Sequence, residues 1–145
     1  MDRRRLLAAT GATVVTVSAG CLDWIPGRGL TTSFEHVRTD VPVDDPPEVT
    51  VDDGTVVAQG TIEHGSSRCG TIDLAHASYE DSQDRLDLLV VAADDSGLRL
   101  SCTDDLVEAG YRVEARVDRT LRRVAVTEHH VFGETYSTTV DLTDW

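Results

Sequence analysis

The side chains in this chain able to do chemistry are five histidines, three cysteines, several paired aspartates and a crowd of arginines. The histidines are His36, His64, His76, His129 and His130. A copper electron-transfer site needs a histidine pair, a thiolate and usually an axial methionine close in sequence. Met1 is the sole methionine, and neither Cys69 nor Cys102 has a histidine shortly downstream. Adjacent His129 and His130 on a strand would point to opposite faces, so they cannot share one ion without a bulge. The pairs Asp44-Asp45, Asp52-Asp53, Asp94-Asp95 and Asp104-Asp105 lack the Asp-x-Asp-x-Asp-Gly spacing of a calcium loop. No metal and no other cofactor is therefore expected. Ser66 and Ser67 beside His64 are the nearest approach to a nucleophile and base. There is no G-x-S-x-G elbow to present them, and a serine in a Gly-Ser-Ser loop is ordinarily a loop residue. No catalytic residue is assigned, and the chain is expected not to be an enzyme.

Arg112, Arg116, Arg119, Arg122 and Arg123 oppose the overall charge of the chain. Read as a hairpin, this stretch puts Arg112 and Arg116 on one outward face with Arg123 across from them. It predicts either a patch for an anionic partner, such as an acidic protein surface or lipid headgroups, or a salt-bridge ladder with Glu114, Asp118 and Glu128.

Cysteines divide by position. Arg3-Arg4-Arg5-Leu6-Leu7 is a twin-arginine start, followed by a short apolar run and by Ser18-Ala19-Gly20-Cys21. A basic region, a short apolar run and small residues before a cut make a secretory signal, and the run is too short to span a bilayer. The twin arginine points to the route that exports folded proteins. Small residues before a cysteine read as a lipobox, which predicts a signal over 1–20 and lipidation of Cys21. Two chains on that sulfur would suffice for a stable anchor, at about 0.8 kcal/mol per buried CH2. Residues 21–30, with Pro26, Gly27 and Gly29, read as a tether. Cys69 and Cys102 remain, and an even pair in an exported domain predicts a disulfide.

Acidic side chains number 26 against 13 basic ones, and every basic residue is arginine. Such an excess suits high salt, where screening shortens the Debye length to roughly 3 Å at 1 M. Net charge of −13 argues against nucleic acid as a partner. An apolar fraction of 40% argues against disorder.

The rest of the chain, 31–145, reads as one domain of short strands. Thr31 to Thr39 is a predicted strand, and the prolines around Asp44-Asp45 make a connector. Val49 to Val57 with Asp53-Gly54 reads as a tight hairpin. Gly70 to Tyr79 changes parity between Leu74 and Ala77, which predicts a bulge near Ala75-His76. Arg85 to Ala93 is apolar on both parities and reads as a central strand covered on both faces. Asp94 to Gly97 is a turn. Leu98 to Val107 reads as a strand followed by a short helical turn, or as neither. From Gly110, Tyr111, Val113, Ala115 and Val117 alternate with charges; Val124 and Val126 face inward; Tyr136, Thr138, Val140 and Leu142 share a face. About eight strands at this spacing predict an all-β fold, an antiparallel β-sandwich first and a barrel second.

The export signal, the Ser18–Cys21 box and the lysine-free acidic composition together resemble haloarchaeal twin-arginine-exported lipoproteins that carry a small β domain. Ser18 stands where that box usually has an apolar residue. The resemblance covers the leader and brings no activity with it. It implies a lipoprotein on the outer face of the cytoplasmic membrane, bound there through Cys21; beside it, a monomer with a protein partner at the cell surface is expected. A non-catalytic binding or accessory module is the expected role. The alternative is a small solute- or metal-binding protein serving a transporter or redox system.

Overall fold

The computed structural model describes residues 29–94 and 101–142. The export signal Arg3–Leu7, the lipidation residue Cys21, the tether up to residue 28 and most of the 94–97 turn lie outside them. The described chain forms eight strands: β1 (Leu30–His36), β2 (Glu48–Asp52), β3 (Thr55–Gly65), β4 (Gly70–Glu80), β5 (Arg85–Asp94), β6 (Leu106–Val117), β7 (Arg123–His129) and β8 (Thr135–Asp141). They make two four-stranded sheets, ordered β1-β6-β3-β2 and β4-β5-β7-β8. The fold is a β-sandwich. The strands belong to two separate sheets, so the barrel alternative is set aside.

Alternation builds the core. Val56, Ala58 and Ile62 of β3 and Tyr111, Val113 and Ala115 of β6 face Leu86, Leu88 and Val90 of β5 and Val124 and Val126 of β7. Each buried Val, Leu or Ile among them contributes about 1.5–3 kcal/mol. The β2–β3 hairpin turns at Asp53 (φ 52°) and Gly54 (φ 81°). Two successive positive φ values are those of a type I′ turn, the twist-matched choice for a two-residue hairpin. The β4–β5 register shifts between Leu74 and His76, the bulge that the parity change predicts. The extra residue lets Ile72, Leu74 and Tyr79 all reach the core.

Several sequence expectations are corrected. The sandwich is not antiparallel throughout: β5 and β7 run parallel, Arg85 opposite Arg123 through Val91 opposite His129. Between them the chain crosses to the other sheet and back as β6, a crossover long enough for a parallel pair. Strand β5 is central, yet only one face is covered. Leu86, Leu88 and Val90 are buried while Leu89 and Val91 are half-buried. Residues 101–105 are irregular, with no helical turn among them, and β6 begins at Leu106 and passes straight through Gly110. Leu142 lies past the end of β8, and its amide bonds the Arg122 carbonyl at 2.7 Å.

The sandwich has two distinct ends. The first described residues lie at one: the Gly29 carbonyl accepts the Asp118 amide at 2.8 Å, and the Gly54 carbonyl accepts that of Val117 at 2.8 Å. The β4–β5 turn lies there too, with Arg119 on Asp81 at 2.6 Å. The Tyr79 hydroxyl bonds the Thr120 carbonyl and stands 3.1 Å from Asp84 Oδ1. At the opposite end β3 finishes at Gly65 beside Leu106, and β4 starts at Gly70 beside Asp94. An 11-residue strand separates the two ends, roughly 33 Å at 3.3 Å per residue.

Candidate functional site

The end remote from Gly29 holds an open cleft of about 620 Å³ between the two sheets. Its first wall is cross-linked. Cys69 and Cys102 form a disulfide with Cα atoms 5.5 Å apart. Around it Ser66 acts as a hub. Its Oγ accepts the amides of Cys69 and Thr103, each at 3.0 Å, and lies 3.0 Å from Thr103 Oγ1. The Ser67 amide donates to Asp105 Oδ1 at 2.9 Å. Hydrogen bonds from Thr103 and from Ser67 hold the Asp105 carboxyl well below the usual range, at about 2. The wall therefore carries an ionised carboxylate at neutral pH.

This geometry assigns Ser66 to architecture. Two backbone amides occupy its oxygen lone pairs, and an oxygen so engaged is a poor nucleophile. His64 is turned elsewhere, its Nδ1 3.0 Å from the Gly65 carbonyl oxygen.

The second wall is the β7–β8 hairpin. The His130 amide donates to the Glu134 carbonyl at 2.8 Å, and the Gly133 amide to the His130 carbonyl at 3.0 Å. Gly133 takes φ 93°, so Val131-Phe132-Gly133 is a three-residue loop closed by a left-handed residue, a standard hairpin form. The loop reaches across to the other sheet, where the Val131 amide bonds the Glu63 carbonyl at 3.0 Å. Its tip is apolar: Phe132 is 70% exposed and Val131 38%, with Leu106 across the cleft at 49%.

Beneath the hairpin lies a buried polar cluster that connects the sheets. The Tyr111 hydroxyl of β6 donates to Glu128 Oε2 of β7 at 2.7 Å. The Glu63 amide donates to His130 Nδ1 at 3.3 Å, which leaves the ring proton on Nε2, 3.4 Å from Glu128 Oε1. Glu128 is fully buried. Burial raises its pKa; the Tyr111 hydroxyl and His130 pull it down, and burial wins. Burial and the neighbouring carboxylate likewise push the Tyr111 phenol up. The His130 ring also meets the Tyr136 ring edge-on at 5.0 Å.

The arginines do not form a hairpin patch, because β6 and β7 lie in different sheets. Arg112 and Arg116 sit on the outer side of the first sheet with Glu114 between them, 3.6 Å from Arg112. Arg122 pairs with Asp84 at 3.2 Å and Arg123 with Asp141 at 3.4 Å. Glu128 is no member of a surface ladder, being sealed in the core. Exposed pairs of this kind contribute about 0–1 kcal/mol each.

Adjacent His129 and His130 diverge as alternation requires, the first exposed and the second buried. His36 Nε2 lies 3.1 Å from the Ile72 carbonyl oxygen, and His76 Nε2 lies 3.0 Å from Ser78 Oγ. No group of three His, Cys, Asp or Glu side chains among the described residues is placed to hold a metal ion.

The Glu128 cluster was missed by the sequence reading although its signal is present. Val124 and Val126 face inward, and continuing that period of two carries Glu128 and His130 inward as well.

Compared with known proteins, the chain matches no family model, no curated protein and no solved structure.

Proposed function

We propose that this chain is a non-catalytic binding module of the cell surface. In this reading it is exported by its twin-arginine signal and held to the outer face of the cytoplasmic membrane by lipid on Cys21. It engages a protein partner through the cleft between the disulfide and the β7–β8 hairpin. The observation that carries the reading is the placement of that cleft. The tether enters beside Asp118, and the exposed Phe132 tip lies at the other end of the strands. A membrane anchor would join the domain at the first end, which leaves the cleft at the second end clear of the attachment point. The cleft walls are braced by the disulfide and the Ser66 hub, so the surface is pre-organised, which lowers the ordering cost of binding.

The test is a photo-crosslinking residue in place of Phe132, used on intact cells in high salt, with membrane capture and mass spectrometry. A control chain carries the same group in place of Glu114. One protein recurrently captured from the first position and not from the second is the expected result. Identical capture from both positions would overturn the reading.

A further inference from the structure

We infer that the partner presents to this cleft a cationic segment with an apolar centre, and that the partner is a different protein rather than a second copy of this chain. The inference rests on the binding-module reading above and adds the chemistry of the partner.

The apolar part comes from Phe132. Hairpin tips are ordinarily built of Gly, Asn, Asp, Pro or Ser. Here one of only two phenylalanines in the chain stands on the tip, 70% exposed. The other, Phe34, packs against the core with its ring centroid 6.0 Å from that of Tyr111. Phe132, Val131 and Leu106 line one cleft, so the three exposed side chains form a single apolar surface. Aromatic anchors of this kind carry much of the energy where proteins meet.

The charge comes from the rim. Asp104 and Asp105 line the same cleft. A partner seated on Phe132 brings its flanks against these carboxylates. Basic flanks gain from that contact, whereas acidic flanks meet like charge.

Two rival occupants are disfavoured. A two-fold pairing of this end with itself would set Asp104 and Asp105 against their own copies. A head-to-tail contact would bring this end to the tether end of a neighbour, and two copies anchored in one membrane both have that end at the bilayer. A bilayer of anionic headgroups would meet the Asp104 and Asp105 carboxylates as like charge.

The probes are two synthetic peptides, one with a pair of leucines flanked by arginines and one with the same leucines flanked by glutamates. Binding to the full chain, purified from membranes in high salt, is read by fluorescence anisotropy at the lowest salt at which the chain stays folded, where the rim charges are least screened. The arginine peptide is expected to bind and the glutamate peptide not to. Phe132→Ser should weaken binding about tenfold or more, in line with loss of an aromatic anchor. Asp104→Asn should weaken it and Glu114→Gln, an equal charge change elsewhere, should not. Equal binding of both peptides, or a Phe132→Ser chain that binds as the parent does, overturns the inference. In the cell experiment, a partner captured at Phe132 through an acidic segment would end this inference and leave the binding module standing; identical capture at both positions would end the module reading itself.

Discussion

The Tyr111 hydroxyl donates to the Glu128 carboxyl at 2.7 Å across the interior of the sandwich, joining β6 of one sheet to β7 of the other. Both residues are fully buried. A polar bridge in an otherwise aliphatic interior is costly when half of it is removed, because the remaining group keeps its desolvation penalty. Tyr111→Phe is therefore expected to destabilise the domain by about 1–3 kcal/mol, measured by denaturant unfolding. A change within error would show that the bridge contributes nothing net.

The same cluster sets a pH dependence. The folded-state pKa of Glu128 is raised, chiefly by burial. The folded chain thus holds this proton more tightly than the unfolded chain does. Its contribution is fully present below the unfolded carboxyl value and is lost as pH rises through the folded one. Other carboxylates, Asp105 among them, act in the opposite sense, so the readout is a difference. The stability of the parent relative to Glu128→Gln should fall between acid and neutral pH. A gap that stays constant across that range would contradict the assignment.

Gly60 makes room for the Glu128 carboxyl. A Cβ at this position would stand 2.0 Å from Glu128 Oε2 and 2.9 Å from the Tyr111 hydroxyl oxygen. Neither group can retreat within a packed interior. Gly60→Ala should cost about 1–3 kcal/mol, the usual range for overpacking, despite the better strand propensity of alanine. A melting temperature equal to the parent's would show that the cluster is looser than the distances imply.

The disulfide closes a long loop, with a sequence separation of 33. In the chain-entropy account such a loop stabilises by roughly 3–4 kcal/mol. Cys102→Ser should lose about that much and loosen the Ser66 hub at the same time. Labelling the unfolded, unreduced chain with a thiol reagent should leave Cys69 and Cys102 unmodified; labelling of both would end the disulfide assignment.

The net charge of −13 predicts a dependence on salt. The Debye length grows from about 3 Å at 1 M to about 10 Å at 0.1 M, and the acidic surface then repels itself. The melting temperature should fall as salt is lowered below about 0.5 M. Constancy on desalting would remove the physical basis for reading the composition as salt-adapted.

Most of the architecture was legible because a period of two is a strong signal when one face of a strand is buried. The Asp53-Gly54 turn, the bulge beside Ala75 and the inward sets of β6 and β7 all follow from local residue types. What was not legible is non-local. Nothing in the residues of Leu121 to Val131 says whether that strand pairs with its predecessor or crosses to the other sheet. The arginines were consequently placed on a hairpin that does not exist. The candidate cleft was hidden for the same reason: Cys69, Leu106 and Phe132 are far apart in sequence and meet only through the crossover. Glu128 was overlooked for a different cause, since a carboxylate reads as surface until the inward parity of Val124 and Val126 is carried two residues further.

The placement of β6 between β5 and β7 in sequence, but in the opposite sheet, has a consequence for how the domain comes into being. Neither sheet is a continuous stretch of chain. The first lacks an interior strand until Val117 has been made, and the second lacks two strands until Asp141 has been made. The apolar faces of both sheets are therefore completed only by strands from the second half of the chain, which makes most sheet contacts long-range in sequence. A chain cut just before Arg123 would keep the whole first sheet but only β4 and β5 of the second. The sandwich closes only when β7 and β8 have joined β4 and β5.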